Sequence, residues 1–268
     1  MVLRRKPRLA VFKFASCDGC QLSLLDAEDE LLAICDLIEI AHFAEASSDL
    51  QAGPYDVALV EGSITTAEDA ERIRQIRTNS RFLMTIGACA TAGGIQALRQ
   101  WGQIDEWVSR VYPSPEFIHT LATSTPIAAH VLVDFELHGC PVNHKQLVDV
   151  LVALAEGRKP RVPTHSVCLD CKLRGTVCHV VSKGIPCLGP VTQSGCGAIC
   201  PAFNRGCYGC YGPSSPAQTV PLLTRFRSLG NSVEQLVPLL RNFNATAPAF
   251  QRASDELSAG IRPEGELS

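Results

Sequence analysis

The sequence predicts an α/β fold in which a doubly wound parallel sheet is followed by a small, irregular, cysteine-rich domain. Two observations support this prediction. Short apolar runs alternate with helical patterns over residues 8–156, and strands that alternate with helices form parallel sheets covered on both faces. Eight of the thirteen cysteines then fall within residues 168–210, a stretch interleaved with Gly and Pro that shows little periodicity.

The predicted elements follow one another in a regular order. Buried strands are expected at residues 8–14, 36–43, 56–62, 81–87 and 130–137, and helices at 20–34, 66–79, 93–101 and 143–156. The prolines of GRKPRVPTH break this pattern. We therefore expect a flavodoxin-like domain over 1–157, a cysteine-rich domain over 158–213, and a C-terminal segment over 214–268 with helices at 219–229 and 232–243 and a loose end at 253–268.

Composition excludes several classes of protein. A chain of 268 residues with 46% hydrophobic and 19% charged residues is a folded protein, and its net charge of −3 argues against a nucleic-acid partner. No apolar run approaches the length of a membrane span. The N-terminal stretch MVLRRKPRLAVFKF lacks an export signal, so we expect a cytoplasmic protein. Thirteen cysteines in such a chain indicate metal or redox chemistry rather than disulfides.

Three predicted strands are followed by cysteines. Cys17 and Cys20 follow the first, Cys89 the fourth and Cys140 the fifth, and ligands of doubly wound sheets lie outside the carboxyl ends of the strands. Four thiolates at one point suit a [4Fe–4S] cluster or a tetrahedral zinc ion. The alternative is that these cysteines are small buried core residues, which explains a cysteine after one strand better than cysteines after three strands. A nucleotide or flavin is disfavoured, because GACATAGG does not fit the Gly-rich phosphate motif.

The eight downstream cysteines form a second set. Their spacing provides two four-cysteine sites, and the simplest division is sequential, although ligands of two-cluster ferredoxins can interleave. The first site is Cys168, Cys171, Cys178 and Cys187, and the second is Cys196, Cys200, Cys207 and Cys210. Structural zinc is the alternative, but Pro201 after Cys200 and the neighbouring glycines favour iron–sulfur clusters. Cys35 is left over as a core residue, and His165 and His179 are expected to support the ligands or lie at the surface.

The combined motifs resemble those of a known family. SCDGCQLS, GACATAGG and HGCPVN look like the proximal-cluster motifs of [NiFe]-hydrogenase small subunits. PCLGPVTQSGCGAICP with CYGCYGP is similar to the cytoplasmic branch of that family, which couples to NAD(P), to coenzyme F420 or to heterodisulfide reductase. The resemblance covers residues 8–213. It implies that the first set holds a proximal cluster, Cys196–Cys210 a medial cluster and Cys168–Cys187 a distal cluster. Cysteines at 168 and 200, where periplasmic relatives usually have His and Pro, imply three [4Fe–4S] clusters.

The resemblance also implies a function and partners. Hydrogen would be cleaved in a separate nickel–iron large subunit, and this chain would pass electrons to a flavin- and NAD(P)-binding diaphorase with its iron–sulfur subunits. The loops at 15–21, 89–94 and 138–143 would form the contact with the large subunit. Asp18 would tune the proximal cluster, take part in proton exit, or simply be solvated. The alternatives are a quinone-reductase-like subunit related to complex I, and a zinc-stapled assembly scaffold that carries no electrons.

Overall fold

The computed structural model describes residues 5–259 and divides the chain into two compact units between Val162 and Pro163. Each unit has its own hydrophobic core. Within the described part of the chain, no helix is long and apolar enough to cross a membrane.

The first unit is built on a five-stranded sheet. Its strands are β1 (Arg8–Lys13), β2 (Glu39–Phe43), β3 (Tyr55–Glu61), β4 (Ser80–Ile86) and β5 (Phe135–Leu137). They are all parallel, in the order β2-β1-β3-β4-β5. This is the flavodoxin-like order, in which the strand sequence reverses between β1 and β3. The predicted fold class is confirmed.

Helices cover both faces of this sheet. They are α1 (Gly19–Leu25), α2 (Glu28–Leu37), α3 (Ala67–Thr78), α4 (Gly87–Ala92), α5 (Ile104–Val111) and α6 (His144–Ala155), with 3₁₀ helices at Ile95–Trp101, Pro115–Phe117 and Ile127–Ala129. Side chains define two of the helix starts. Thr66 accepts a hydrogen bond from the Asp69 amide at the start of α3, and Asn143 accepts one from the Gln146 amide at α6.

Apolar side chains on the two faces of the sheet form two buried clusters. On one face, Leu24, Ile34 and Leu147 of α1, α2 and α6 pack with the strands. On the other face, Ile73 and Ile76 of α3 do so. Because both faces of the sheet are closely packed against helices, the strands and their ends have little freedom to move.

Several predicted elements of this unit differ from the structure. The helix expected at 20–34 is two helices, with a break at Asp26–Ala27, and α2 continues to Leu37, so the second strand begins only at Glu39. The strand expected at 130–137 is reduced to Phe135–Leu137, and the helix expected at 93–101 is a 3₁₀ helix. The helix α4 was not predicted, because GACATA is too short to show a period.

The second unit consists of short helices. They are α7 (Val167–Leu173), α8 (His179–Lys183), α9 (Ile199–Ala202), α10 (Thr219–Ser228), α11 (Val233–Leu240) and α12 (Pro248–Ala259), with a 3₁₀ helix at Gly189–Val191. The last three pack their apolar faces around Phe226 and Phe250. The prediction of a loose end is wrong for residues 253–259, which belong to α12, and residues 260–268 lie outside the described part.

Candidate metal centres

The four cysteines of the first set all follow carboxyl ends of strands. Cys17 lies between β1 and α1, and Cys20 is in the first turn of α1. Cys89 is in α4, which begins directly after β4, and Cys140 follows β5. Because the strands are parallel, these ends meet at one edge of the sheet, beside the position where the strand order reverses.

The charges of these thiols act on one another. Burial, above all, raises the pKa of the Cys20 thiol, and the charges of Glu61, Cys89 and Cys140 add to the effect. Burial and the charges of Cys89 and Cys17 raise the pKa of Cys140 to about 11. The structure therefore brings all four thiols together in a group that disfavours anionic sulfur unless a positive ion or cluster compensates it.

A buried carboxylate fixes the first turn of α1, which carries Cys20. Glu61, the last residue of β3, is only 2% exposed. Its two carboxylate oxygens accept hydrogen bonds from the backbone amides of Cys20 (3.0 Å) and Gln21 (3.2 Å). Burial raises the pKa of Glu61, while these two amides oppose that rise. Glu61 was not predicted from the sequence, although an acid that ends the apolar run DVALVE was a visible signal.

Two glycines leave space beside the sulfurs. A Cβ at Gly87 would lie 2.4 Å from the Cys20 Sγ, and a Cβ at Gly94 would lie 2.6 Å from the Cys89 Sγ. Both residues also have positive φ, of 85° and 66°, which side chains disfavour. Four convergent thiols with side-chain-free space beside them fit a bulky sulfur-ligated group.

Two polar side chains flank this group. The Gln96 Nε2 lies 3.6 Å from the Cys89 Sγ and also donates to the Ala15 carbonyl at 2.6 Å. The Asp18 carboxylate pairs with the Lys13 Nζ at 2.6 Å, and Ser16 donates to its other oxygen. Lys13 therefore offsets the charge of Asp18. Gln96 is a second residue that was not predicted from the sequence.

Four cysteines of the second unit form a second group. Cys168 and Cys171 are in α7, Cys178 immediately precedes α8, and Cys187 is buried just before the 3₁₀ helix. Burial and the charges of the other three thiols raise the pKa of Cys168 to about 11. Gly189 faces this group, since a Cβ there would lie 3.4 Å from the Cys187 Sγ and 3.6 Å from the Cys168 Sγ.

The remaining four cysteines are coupled in two pairs, Cys196 with Cys200 and Cys207 with Cys210. Burial raises the pKa of Cys200, with a contribution from Cys196. Burial raises the pKa of Cys207 as well, with smaller contributions from Cys187 and Cys210. The Cys207 amide also donates to the Cys187 Sγ at 3.1 Å. A residue of one predicted four-cysteine site, Cys207, therefore contacts a residue of the other, Cys187.

The extra cysteine and two of the histidines make other contacts. Cys35 lies in α2, where its carbonyl accepts a hydrogen bond from Lys6. His165 contacts Asp170 (2.9 Å), and His179 contacts the Pro201 carbonyl (3.0 Å).

Within residues 5–259, no three His, Cys, Asp or Glu side chains are arranged to hold a single metal ion.

Comparison with known proteins identifies relatives of this chain. Residues 17–154 match the family described as NADH ubiquinone oxidoreductase, 20 kDa subunit. The sulfhydrogenase 2 subunit delta of Pyrococcus furiosus is 40% identical over 207 residues, which cover 77% of this chain and 86% of that protein. An iron-sulfur subunit of the F420-non-reducing hydrogenase of Archaeoglobus profundus is 27% identical over 271 residues, covering 79% of this chain and 84% of that protein.

A solved structure shares part of this fold. A chain of an NAD⁺-reducing [NiFe]-hydrogenase in the H₂-reduced state superposes with a TM-score of 0.55 at 31% sequence identity. The match covers 59% of this chain and 96% of that one. Sequence and fold therefore agree on the same group of proteins.

Proposed function

We propose an electron-relay function from one premise: this chain belongs to the family of the NADH ubiquinone oxidoreductase 20 kDa subunit, and within it to the small subunits of [NiFe]-hydrogenases. It carries electrons between a nickel–iron large subunit, where hydrogen is cleaved or formed, and a further redox subunit. The observation that supports this most directly is the group of four thiols beside the position where the strand order reverses. These thiols stand where other doubly wound folds have a phosphate-binding loop.

Each cysteine set has a defined role in this proposal. A [4Fe–4S] cluster, when bound, supplies a centre that gains or loses one electron. Cys17, Cys20, Cys89 and Cys140 hold the proximal cluster; Cys196, Cys200, Cys207 and Cys210 the medial cluster; and Cys168, Cys171, Cys178 and Cys187 the distal cluster. The last two sets share the Cys207–Cys187 contact, so an interleaved division of these eight ligands is the alternative.

Other residues position the proximal ligands and adjust their surroundings. Glu61 holds the first turn of α1 through the amides of Cys20 and Gln21 and places a buried negative charge next to it. The Gln96 amide lies within hydrogen-bond distance of the Cys89 sulfur. Buried carboxylates disfavour an added electron, whereas donors to sulfur favour it, so these two residues act in opposite directions on the reduction potential.

The contact with the large subunit is proposed at the loops 15–21, 89–94 and 138–143. Cys17 is exposed, and Leu22 and Ile95 beside these loops are exposed apolar residues. A permanent interface of this kind buries more than about 2,000 Å². The second redox subunit is proposed to be a flavin- and NAD(P)-binding diaphorase with its iron–sulfur subunits. Thirteen cysteines, twelve of them proposed as cluster ligands, fit a reducing compartment such as the cytoplasm.

Metal and sulfide analysis of the anaerobically purified complex tests this function. We expect about twelve irons and as much acid-labile sulfide per chain, which is three clusters of four, together with nickel in the large subunit. Zinc without sulfide would replace the relay with the scaffold alternative. Iron and sulfide without nickel would favour the quinone-reductase-like alternative.

Two matched variants connect the metal content to individual ligands. Cys17→Ser removes a proximal ligand that is exposed, so the fold should survive while up to about four irons are lost or the cluster is converted. Cys35→Ser changes a cysteine outside the groups and should leave the iron content unchanged. Loss of a whole cluster from the Cys35 variant would mean that a ligand is misassigned.

A further inference from the structure

We infer that a small surface around Cys178 is the docking site for the redox subunit, and that this subunit presents an acidic rim around an apolar centre. We call this surface, formed by Leu173, Val177, Cys178 and Val181, the Cys178 patch. The inference rests on the proposed function and adds the position and chemistry of the second partner contact.

The Cys178 patch is apolar and exposed. Leu173, Val177 and Val181 are 79%, 66% and 80% exposed. Cys178 itself is exposed, and Val181 lies one helical turn after it in α8. The turn between α7 and α8 is closed by the Thr176 amide, which donates to the Cys171 carbonyl at 3.2 Å. Three large aliphatic side chains are thus held in one short, folded segment of the surface.

The four cysteines of the proposed distal set differ in exposure, and Cys178 in the patch is the exposed one. Cys187 is buried, Cys168 and Cys171 are half-buried, and Cys178 is exposed. The charge of Cys178 contributes to the raised pKa of both Cys168 and Cys187, after the larger effect of burial. Cys178 is therefore the member of this set that a partner protein can approach directly.

The charge around the patch indicates an acidic partner. Residues 163–230 contain six Lys and Arg but only one acidic residue, Asp170, although the whole chain has a net charge of −3. Two of the cations, Lys172 and Lys183, are exposed at the last turns of α7 and α8, next to the patch. Complementary charge steers such encounters and fixes their orientation.

The single acidic residue does not offset these cations. Asp170 accepts a hydrogen bond from the Ser194 hydroxyl and lies 2.9 Å from the His165 ring, and its side chain is 19% exposed. A second copy of this chain would bring like charges together at the same surface, which disfavours a symmetric dimer here. The patch therefore fits a different protein that carries carboxylates around an apolar centre.

Charge reversal in the purified complex tests the inference. The complex of this chain with its large subunit and redox subunit is prepared with Lys172→Glu and Lys183→Glu together. The matched control is Arg225→Glu with Arg227→Glu, which changes the charge of the same unit equally, on the exposed side of α10. The measured quantity is the dissociation constant of the redox subunit at about 10 mM and about 1 M salt, where the Debye length is about 30 Å and about 3 Å.

We expect a selective and salt-dependent loss of binding. The lysine variant should bind the redox subunit about tenfold more weakly at low salt, with the difference closing at high salt, while the arginine control stays close to the parent. Equal behaviour of the two variants would overturn the inference. The iron content, the sulfide content and hydrogen evolution from reduced methyl viologen are measured in parallel. If the parent complex itself lacks iron, sulfide or hydrogen evolution, the proposed function fails, and this result is distinct from a failure of the docking site.

Photo-cross-linking provides a test without a change of charge. A photoreactive side chain in place of Val181 should cross-link to the redox subunit, at a peptide rich in Asp and Glu. The same side chain in place of Val220, which is 62% exposed in α10, should not. Cross-links from position 181 to the large subunit, to a second copy, or to residues 260–268 of this chain would overturn the inference.

Discussion

The two units of this protein arrange their cysteines in different ways. In the first unit, the four thiols come from three separate stretches of sequence and follow the ends of strands in a sheet with a hydrophobic core on each face. In the second unit, eight thiols lie within residues 168–210, where Cys187 and Cys207 are themselves members of a small buried cluster. Cys20 is one of sixteen buried residues in the larger core cluster of the first unit, whereas Cys187 and Cys207 are two of the four in the small cluster of the second unit. This part of the second unit therefore depends more strongly on its cysteines.

Removal of iron should show the largest difference between the units. Without metal, residues 168–210 keep few apolar contacts, since two of the proposed ligands, Cys187 and Cys207, are part of their core. We expect backbone amides in this segment to exchange about a hundredfold faster or more, which corresponds to about 2.7 kcal/mol. Amides of β1, β3 and β4 should retain their protection. Hydrogen exchange of the iron-loaded and iron-free chain measures both, and uniform loss of protection would contradict the comparison.

Truncation sharpens the same distinction. A chain ending at Val162 contains the whole sheet, both of its apolar clusters and all four cysteines of the first set. It should fold and take up about four irons under anaerobic reconstitution. Circular dichroism and iron analysis test this expectation. If the truncated chain folds but binds no iron, the first set depends on residues 163–268.

A glycine beside a sulfur should be less replaceable than an exposed glycine. Gly87→Ala places a Cβ 2.4 Å from the Cys20 Sγ at a φ of 85°, so we expect loss of the proximal cluster, about four irons. Gly157→Ala is the matched control, because its φ is 70° but no atom lies within 4 Å of the added Cβ. The control should cost only about 1–2 kcal/mol of folding free energy. Equal iron content in the two variants would exclude a cluster at this position.

Glu61→Gln should produce a smaller and more specific effect. The substitution removes a buried negative charge and replaces one acceptor oxygen by an amide, which can no longer accept from both Cys20 and Gln21. We expect the reduction potential of the proximal cluster to rise, and the folding free energy to fall by about 1–3 kcal/mol. EPR-monitored redox titration measures the potential. An unchanged potential with lowered stability would limit Glu61 to a structural role.

The sequence predicted the fold class because its signals were local. Continuous apolar runs such as DVALVEG indicated buried parallel strands, and every strand of the sheet corresponds to one of the predicted runs. The shortened fifth strand was not predictable, because it depends on tertiary contacts. Asp134, for example, accepts from the Leu83 amide and pairs with Arg77 just before β5.

The cysteines of the candidate sites were visible in the sequence, but the residues that support them were not. Glu61 and Gln96 are ordinary polar residues until the sheet places them beside Cys20 and Cys89. The contact between Cys207 and Cys187 also has no sequence signal, because it joins residues of two separate motifs. Long-range placement of this kind follows from packing, which spacing along the chain does not report.

The central claim is that this chain connects a nickel–iron subunit to a second redox partner through three iron–sulfur centres. An iron-edge anomalous map of the crystallised complex tests it most directly. We predict three iron centres in this chain: one at Cys17, Cys20, Cys89 and Cys140 against the nickel subunit, and two within residues 168–210 farther from it. Zinc at these positions, or the Cys168–Cys210 segment facing the nickel subunit, would contradict the claim.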